Sequence, residues 1–181
     1  MQEAMEAFWE RGYAGTSVND LLSEMKLNRG SLYDTFGDKH SLFLSALEKY
    51  DQLMSGVVKS ILDAGPTPRA ALRTWMQTVA TACSGEGGRK GCLMLKTGME
   101  LASQDPQVAS RVTAIMKRHE QLIARTIEEG QRQGEISAAL DPATAAIGLL
   151  TAISGLKMFG ITAPSPERMR ELVDLMMKVL D

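Results

Sequence analysis

The chain has 181 residues, of which 44% are hydrophobic and 23% charged, so it is long enough for one sizeable core or for a small domain beside a larger one. Its net charge of −2 argues against binding nucleic acid by bulk charge alone. No apolar run reaches the roughly 20 residues that cross a bilayer. Two cysteines and two histidines predict neither a disulfide framework nor a zinc motif. We therefore expect a cytoplasmic protein with no metal, no cofactor and no membrane contact.

The first 36 residues predict three short helices. Residues 3–11 place apolar side chains on one side of a helix, and residues 17–36 follow as two helices joined by a tight turn. The side chains expected to be hidden are Ala4, Met5, Phe8 and Trp9 in the first helix, Val18, Leu21, Leu22 and Met25 in the second, and Leu32 and Phe36 in the third. Two helices joined so tightly are typical of a helix-turn-helix, whose second helix enters the major groove of DNA.

Candidate DNA contacts lie at the start of the second helix and along the polar face of the third. Arg29 and Ser31 are candidates for base edges, because an arginine can donate two hydrogen bonds to guanine. Tyr33 and Lys39 suit phosphate, and Gly30 leaves room for close approach. The predicted set is Ser17, Asn19, Arg29, Gly30, Ser31, Tyr33, Thr35 and Lys39. The alternative interpretations are a solvated helix face for Arg29 and Ser31, and a simple helix cap for Ser17.

The rest of the chain predicts only helices. A long helix over residues 42–62 is followed by a break at residues 65–68, a helix over about 69–82, and a flexible, glycine-rich loop at 85–91. Further helices are expected at 92–102, from Pro106 to near Gly134, at 142–160 and at 167–180. The helix at 142–160 is so poor in polar residues that we expect it to be buried on nearly all sides.

The first quarter of the chain resembles the helix-turn-helix domain of TetR-family transcriptional regulators. The resemblance rests on several spaced features: Gly12-Tyr13, Thr16-Ser17, Gly30-Ser31-Leu32-Tyr33 and Lys39. It implies an all-α fold of about nine helices. The domains are then a DNA-binding domain at residues 1–47, with the helix-turn-helix at about 17–36, and a regulatory and dimerisation domain at 48–181.

The chain departs from this family pattern at two positions that affect the predicted surface. Lys26 occupies the turn position usually held by glycine, where the left-handed backbone costs a residue with a side chain about 1 kcal/mol. Asp34 lies where an aromatic residue or histidine often touches DNA, which predicts an unusual sequence preference. Residues 1–50 also carry five basic and eight acidic side chains, a net charge of −3, so DNA binding must depend on local placement of charge.

The last two helices carry more apolar surface than a monomer needs, which predicts a two-fold dimer that reads a palindromic double-stranded operator. The resemblance implies the same homodimer. The predicted interface residues are Leu149, Ile153, Leu156, Met169, Leu172 and Met176.

The resemblance implies a ligand-responsive repressor. A small-molecule effector, apolar or electrophilic, would bind in the regulatory domain and cause the protein to release its DNA. The predicted pocket residues are Trp75, Met76, Val79, Cys92, Met116, His119, Ile123, Ile147 and Thr151. For methionines and histidine the plainer interpretation is core packing.

Three alternatives stand beside this prediction. Cys92 follows Arg89-Lys90 and a predicted helix starts there, so its thiolate is a candidate sensor of electrophiles or oxidants, with Cys83 as a resolving partner; a buried thiol is the plainer interpretation. Because residues 1–50 carry a net negative charge, a second alternative is a helical interaction protein that does not bind DNA. An enzyme is not expected, because we find no nucleophile set, phosphate-binding glycine motif or paired metal ligands.

Overall fold

The computed structural model describes the backbone of residues 1–181 and all side chains except those of residues 86 and 87. Over this backbone the chain forms nine α-helices and no strand, which confirms the all-α prediction. The helices are α1 Gln2–Arg11, α2 Val18–Met25, α3 Arg29–Phe36, α4 Lys39–Ala64, α5 Pro68–Ala82, α6 Leu93–Leu101, α7 Pro106–Arg132, α8 Pro142–Phe159 and α9 Pro166–Met177. The predicted loop at 85–91 contains a short 3-10 helix, Gly85–Lys90.

Helix starts in the second half of the chain follow one local rule. Thr67, Asp141 and Ser165 each cap the next helix with a side-chain oxygen, and each is followed by proline at the first helical position. Proline costs nothing there, because the first backbone N–H groups of a helix have no partner within it. These boundaries therefore lie within one or two residues of those predicted from sequence.

The helices group into two compact units. The first unit is formed by Met1–Met54 and Cys92–Ile115, so α6 and the start of α7 belong with the N-terminal helices. Its core is aromatic: the Phe8 ring meets Phe43 edge to face at 5.0 Å, and the Trp9 ring meets Tyr50 at 5.0 Å. Leu21 and Leu32 are fully buried, so α2 and α3 are each anchored by a leucine.

The second unit is formed by Ser55–Gly91 and Met116–Asp181. Helix α5 packs against α8 and α9, and α8 and α9 also contact each other. The core of this unit is a continuous cluster of apolar side chains that includes Leu72, Trp75, Met76, Ile123, Ile127, Leu149, Ile153, Leu156, Met169 and Val173.

Helix α8 is not buried on all sides, which corrects the expectation from its composition. One face packs into the core, whereas Ile147, Met158 and Phe159 are 51%, 59% and 42% exposed. Residues 142–162 also have the length and hydropathy of a membrane span, contrary to the expectation that no run does. An apolar composition shows only that a surface avoids water. It does not show whether this chain, another chain or lipid covers that surface.

Candidate DNA-binding surface

The start of α2 is held by a reciprocal capping box. The backbone N–H of Asp20 donates to Ser17 Oγ at 3.1 Å, and the backbone N–H of Ser17 donates to Asp20 Oδ2 at 2.8 Å. These bonds satisfy backbone donors that the helix leaves open. Hydrogen bonds from the Ser17 side chain and from its backbone N–H stabilise the charged form of the Asp20 carboxyl and lower its pKa. Ser17 thus acts as a helix cap in the absence of DNA.

The turn between α2 and α3 has the predicted left-handed residue. Lys26 has φ 54° and ψ 42°. The N–H of Leu27 donates to the carbonyl of Leu22 at 3.0 Å, which closes the end of α2. Asn28 then caps α3 by accepting from the N–H of Ser31 at 2.8 Å. The helix-turn-helix geometry is therefore complete despite the missing glycine.

Helix α3 presents a polar face and is fixed from below by Leu32. Exposed positions on this helix are Arg29, Gly30, Tyr33, Asp34 and Thr35, and Ser31 is partly exposed. The Arg29 guanidinium donates through Nη2 to Asn19 Oδ1 on α2 at 2.9 Å. This bond joins two predicted DNA contacts and limits the directions in which the arginine can extend.

Lys39 lies at the start of α4 with its ammonium 4.2 Å from the centre of the Tyr13 ring. The ring attracts the cation and holds it in place. Partial burial lowers the pKa of Lys39, and the nearby carboxylates of Glu100 and Asp20 oppose that shift. The sequence analysis identified Gly12-Tyr13 only as a family feature and did not predict that the Tyr13 ring would contact the Lys39 ammonium.

Many acidic side chains of the first unit are engaged within the protein. Glu24 pairs with Arg11 at 2.6 Å, and Glu48 pairs with Arg111 at 2.8 Å. The Asp20 carboxylate is held in the capping box. Arg111 lies outside residues 1–50, so the net charge of that stretch omits a cation that the first unit places beside Glu48.

The predicted effector residues lie in different environments. Trp75, Met76 and Ile123 lie in the core of the second unit, with Val79 packed at its edge. Partly exposed on α7 of this unit are Met116 and His119, and His119 Nε2 lies 2.9 Å from Ser55 Oγ. Cys92 belongs to the first unit.

Two of the predicted pocket residues are on the outside. Ile147 is 51% exposed, and Thr151, one helical turn further along α8, is exposed as well. This placement corrects their assignment to an interior pocket, because residues at positions i and i+4 share one helix face and here that face points away from the core. A cavity of about 490 Å³ near Arg69, Gln131 and Asp181 is lined by none of the predicted residues.

Four of the predicted interface residues are core residues of the protomer. Leu149, Ile153, Leu156 and Met169 are no more than 4% exposed, and Leu172 and Met176 are partly buried. This corrects the choice of side chains, because a residue covered by its own chain has little surface left for a partner. The outward faces of the same two helices carry Ile147, Met158, Phe159 and Leu175, and the short 3-10 helix that follows α9, Lys178–Leu180, carries Val179.

A capped helix pair with a tight turn and an exposed polar second helix defines a DNA-binding protein of the helix-turn-helix class. Two family models cover most of the chain: "Bacterial regulatory proteins, tetR family" matches residues 1–46, and "Tetracyclin repressor-like, C-terminal domain" matches residues 68–176. The chain belongs to the TetR family of transcriptional regulators.

Individual relatives agree with this assignment. The uncharacterised HTH-type transcriptional regulator YezE of Bacillus subtilis is 30% identical over all of this chain and 94% of its own length. The HTH-type transcriptional repressor DhaR of a Mycobacterium species is 25% identical over 99% of this chain and 87% of its own. A cysteine mutant of the TetR-family regulator CifR, solved with a 26-bp operator, superposes with a TM-score of 0.83, is 25% identical, and covers 98% of this chain and 93% of its own.

These findings confirm three predictions. The chain is a TetR-family transcriptional regulator and not an enzyme, its fold is the expected all-α one, and regulators of this family bind operator DNA.

Proposed function

We propose that this chain is a dimeric repressor that places α3 in successive major grooves of a palindromic operator and leaves it when a small molecule binds. Arg29 reads a base edge, with Asn19 setting its direction. Tyr33 and Lys39 contact phosphate, and Ser17 and Asn19 offer the start of α2 to the backbone. The observation that carries the proposal is the exposed polar face of α3, with its Arg29–Asn19 bond of 2.9 Å. The repressor role is supported by the name of DhaR.

Binding to the intergenic DNA beside the gene tests the contact residues. We expect Arg29→Ala to weaken specific binding about 5- to 150-fold, because a bidentate arginine–guanine pair contributes about 1–3 kcal/mol. Fluorescence anisotropy at two salt concentrations measures this change, and Arg132→Ala, which removes an exposed arginine from the end of α7, is the matched control. Unchanged binding by the double variant Arg29→Ala, Tyr33→Ala would refute the assignment.

The outward faces of α8 and α9 support the dimer. Their exposed apolar side chains avoid water only if another surface covers them. Gly148, Thr151 and Gly155 lie on the outward face of α8, where small side chains let a second helix approach closely. A two-fold axis would pair these helices with their copies in a four-helix bundle, and two heads about 34 Å apart would then match one turn of DNA.

Leu175 and Leu149 provide a matched pair for testing the interface. Leu175 is 61% exposed and Leu149 is 1% exposed. Full burial of an exposed leucine side chain contributes about 1.5–3 kcal/mol. Burial of the exposed part of Leu175 at the interface therefore stabilises the dimer by about 1–2 kcal/mol per protomer, and by twice that in a symmetric dimer. We expect Leu175→Ala to raise the dimer Kd at least about 30-fold in sedimentation equilibrium. Leu149→Ala should instead lower the free energy of unfolding of the protomer by about 2–5 kcal/mol.

The effector site is proposed in the second unit beside His119 and Met116 on α7. The His119–Ser55 pair supplies a polar group next to apolar side chains, which suits a mostly apolar ligand with one hydrogen-bonding group. A screen for compounds that both raise the Tm and release DNA tests this site, and His119→Phe should abolish the response without loss of DNA binding. We also propose that the protein acts in the cytoplasm, where its operator lies.

Thiol sensing through Cys92 is the second candidate. The Tyr50 hydroxyl donates to Cys92 Sγ at 3.5 Å, which fixes the position of the sulfur. Cys92 is only 5% exposed, which slows attack by reagents in solution. Loss of DNA binding after brief treatment with an electrophile, abolished by Cys92→Ser and not by Cys83→Ser, would favour this candidate over non-covalent induction.

A further inference from the structure

Helix α6 and the start of α7 make polar contacts with the chain on both sides of the helix-turn-helix. All of the residues concerned belong to the first unit, although more than 60 positions separate the partners in sequence. We name the segment from Lys96 to Asp105 the clamp segment.

Glu100 in the clamp segment binds the loop between α1 and α2. Its carboxylate accepts from the backbone N–H of Tyr13 at 3.1 Å and of Ala14 at 2.8 Å. Successive N–H groups that point to one side form a concavity suited to an anion. Gly12 has φ 74°, and a Cβ there would lie 2.8 Å from Glu100 Oε2, so the glycine both permits the turn and leaves room for the carboxylate.

Two further contacts extend the clamp. Lys96 Nζ donates to the carbonyl of Trp9 in the last turn of α1 at 3.0 Å. Asp105 Oδ2 accepts from His40 Nε2 at 2.6 Å. The other oxygen of Asp105 accepts from the N–H groups of Gln107 and Val108, so this side chain also caps α7.

These contacts bracket the DNA-reading element. The helix-turn-helix occupies residues 18–36, Glu100 holds the chain just before it, and Asp105 holds His40 just after it. Leu21 and Leu32 fix α2 and α3 against the core, but apolar contacts are not directional, whereas charged hydrogen bonds fix an angle.

We propose that Glu100 and Asp105 are positioning residues for operator binding: they hold both ends of the helix-turn-helix at the orientation that α3 needs in the groove. Neither residue touches DNA in this proposal. It rests on the proposed function, because it assumes that α3 is the reading helix.

A substitution that neutralises Glu100 or Asp105 changes the affinity for operator DNA, and the direction of that change distinguishes a positioning role from simple charge repulsion. Removing a negative charge beside DNA reduces repulsion and should tighten binding when the carboxylate has no other role. Loss of a positioning contact should weaken binding although the charge becomes more favourable. Glu100→Gln and Asp105→Asn keep the size of the side chain, and asparagine can still cap α7.

The test compares Glu100→Gln, Asp105→Asn and the control Glu10→Gln, which removes an exposed charge from α1 of the same unit. We expect the first two variants to bind operator about five- to tenfold more weakly, because a charged acceptor makes hydrogen bonds roughly twice as strong as a neutral one. The control should bind as wild type or more tightly. Labelling the three tyrosines with ¹⁵N should show the Tyr13 amide resonance shifting in Glu100→Gln and staying in the control.

Wild-type or tighter binding by Glu100→Gln, or an unmoved Tyr13 resonance, would overturn the inference. If Glu100→Gln loses its cooperative thermal transition, the operator affinity of Asp105→Asn decides alone. Wild-type or tighter binding by that variant would overturn the inference. Unchanged binding by Arg29→Ala would instead be a failure of the proposed reading helix, so the two failures are distinguishable.

Discussion

A substitution at Gly30 should affect DNA binding much more than it affects the stability of the fold. A Cβ added at this position would meet one atom within 4 Å inside the protein, Asn28 Oδ1 at 3.3 Å. The backbone there is helical, so alanine introduces no backbone strain. The protein itself therefore does not need the glycine, and we attribute it to the close approach of DNA.

The expected effects of Gly30→Ala on stability and on affinity differ. Alanine is favoured over glycine by about 1 kcal/mol inside a helix, but Gly30 is the second residue of α3 and the new methyl group presses lightly on the Asn28 cap. We expect the free energy of unfolding to rise by between 0 and about 1 kcal/mol. A methyl group against the groove that lengthens the Arg29–guanine bonds should cost about 1–3 kcal/mol of binding, a 5- to 150-fold loss.

Denaturant unfolding and anisotropy titration on the same samples measure both effects. Gly56→Ala is the matched control, because Gly56 lies within α4 with open space where its Cβ would be. It should gain about 1 kcal/mol of stability with unchanged DNA affinity. If Gly30→Ala binds operator as tightly as the control, α3 does not approach DNA at this residue and the reasoning fails.

Three further predictions concern the turn, a phosphate contact and acid. Lys26→Gly should raise the free energy of unfolding by about 1 kcal/mol in urea, because it removes the left-handed strain at φ 54°. Lys39→Ala should reduce the slope of log K against log salt by about 0.9 per head; an unchanged slope would exclude a phosphate contact. The lowered pKa of Asp20 stabilises the fold above the unfolded pKa of about 4. Thermal unfolding should therefore show stability falling as the pH drops below about 4, and less so in Asp20→Asn.

Local signals in the sequence predicted the head and the helix boundaries well. The cap at Ser17 and the left-handed turn at Lys26 each depend on residues within three or four positions, so they can be recognised without knowing the fold. The proline that follows Asp141 places the start of α8 for the same reason.

The features that sequence analysis missed depend on distant partners or on another surface. Glu100 finds its partners 86 and 87 positions away, and no local pattern marks it. For α8, nearly every position is apolar, so periodicity could not tell Leu149, which is buried, from Ile147, which is half exposed. Four of the six residues predicted for the interface are therefore core residues of the protomer.

The same limit explains why composition misjudged the charge of the head. Net charge counts every carboxylate equally, but a carboxylate that pairs with arginine is partly neutralised where it lies, and one that accepts backbone N–H groups is held in a fixed place. Asp20 receives the N–H of Ser17 and Glu24 pairs with Arg11, whereas Arg29 is exposed and bonded to a neutral amide. An acidic protein can thus present a local cation to phosphate, since at physiological salt charges more than about 8 Å apart are largely screened. For such a head, affinity should depend more on the exact orientation of α3 than on bulk charge, which is the dependence that the Glu100 and Asp105 variants measure.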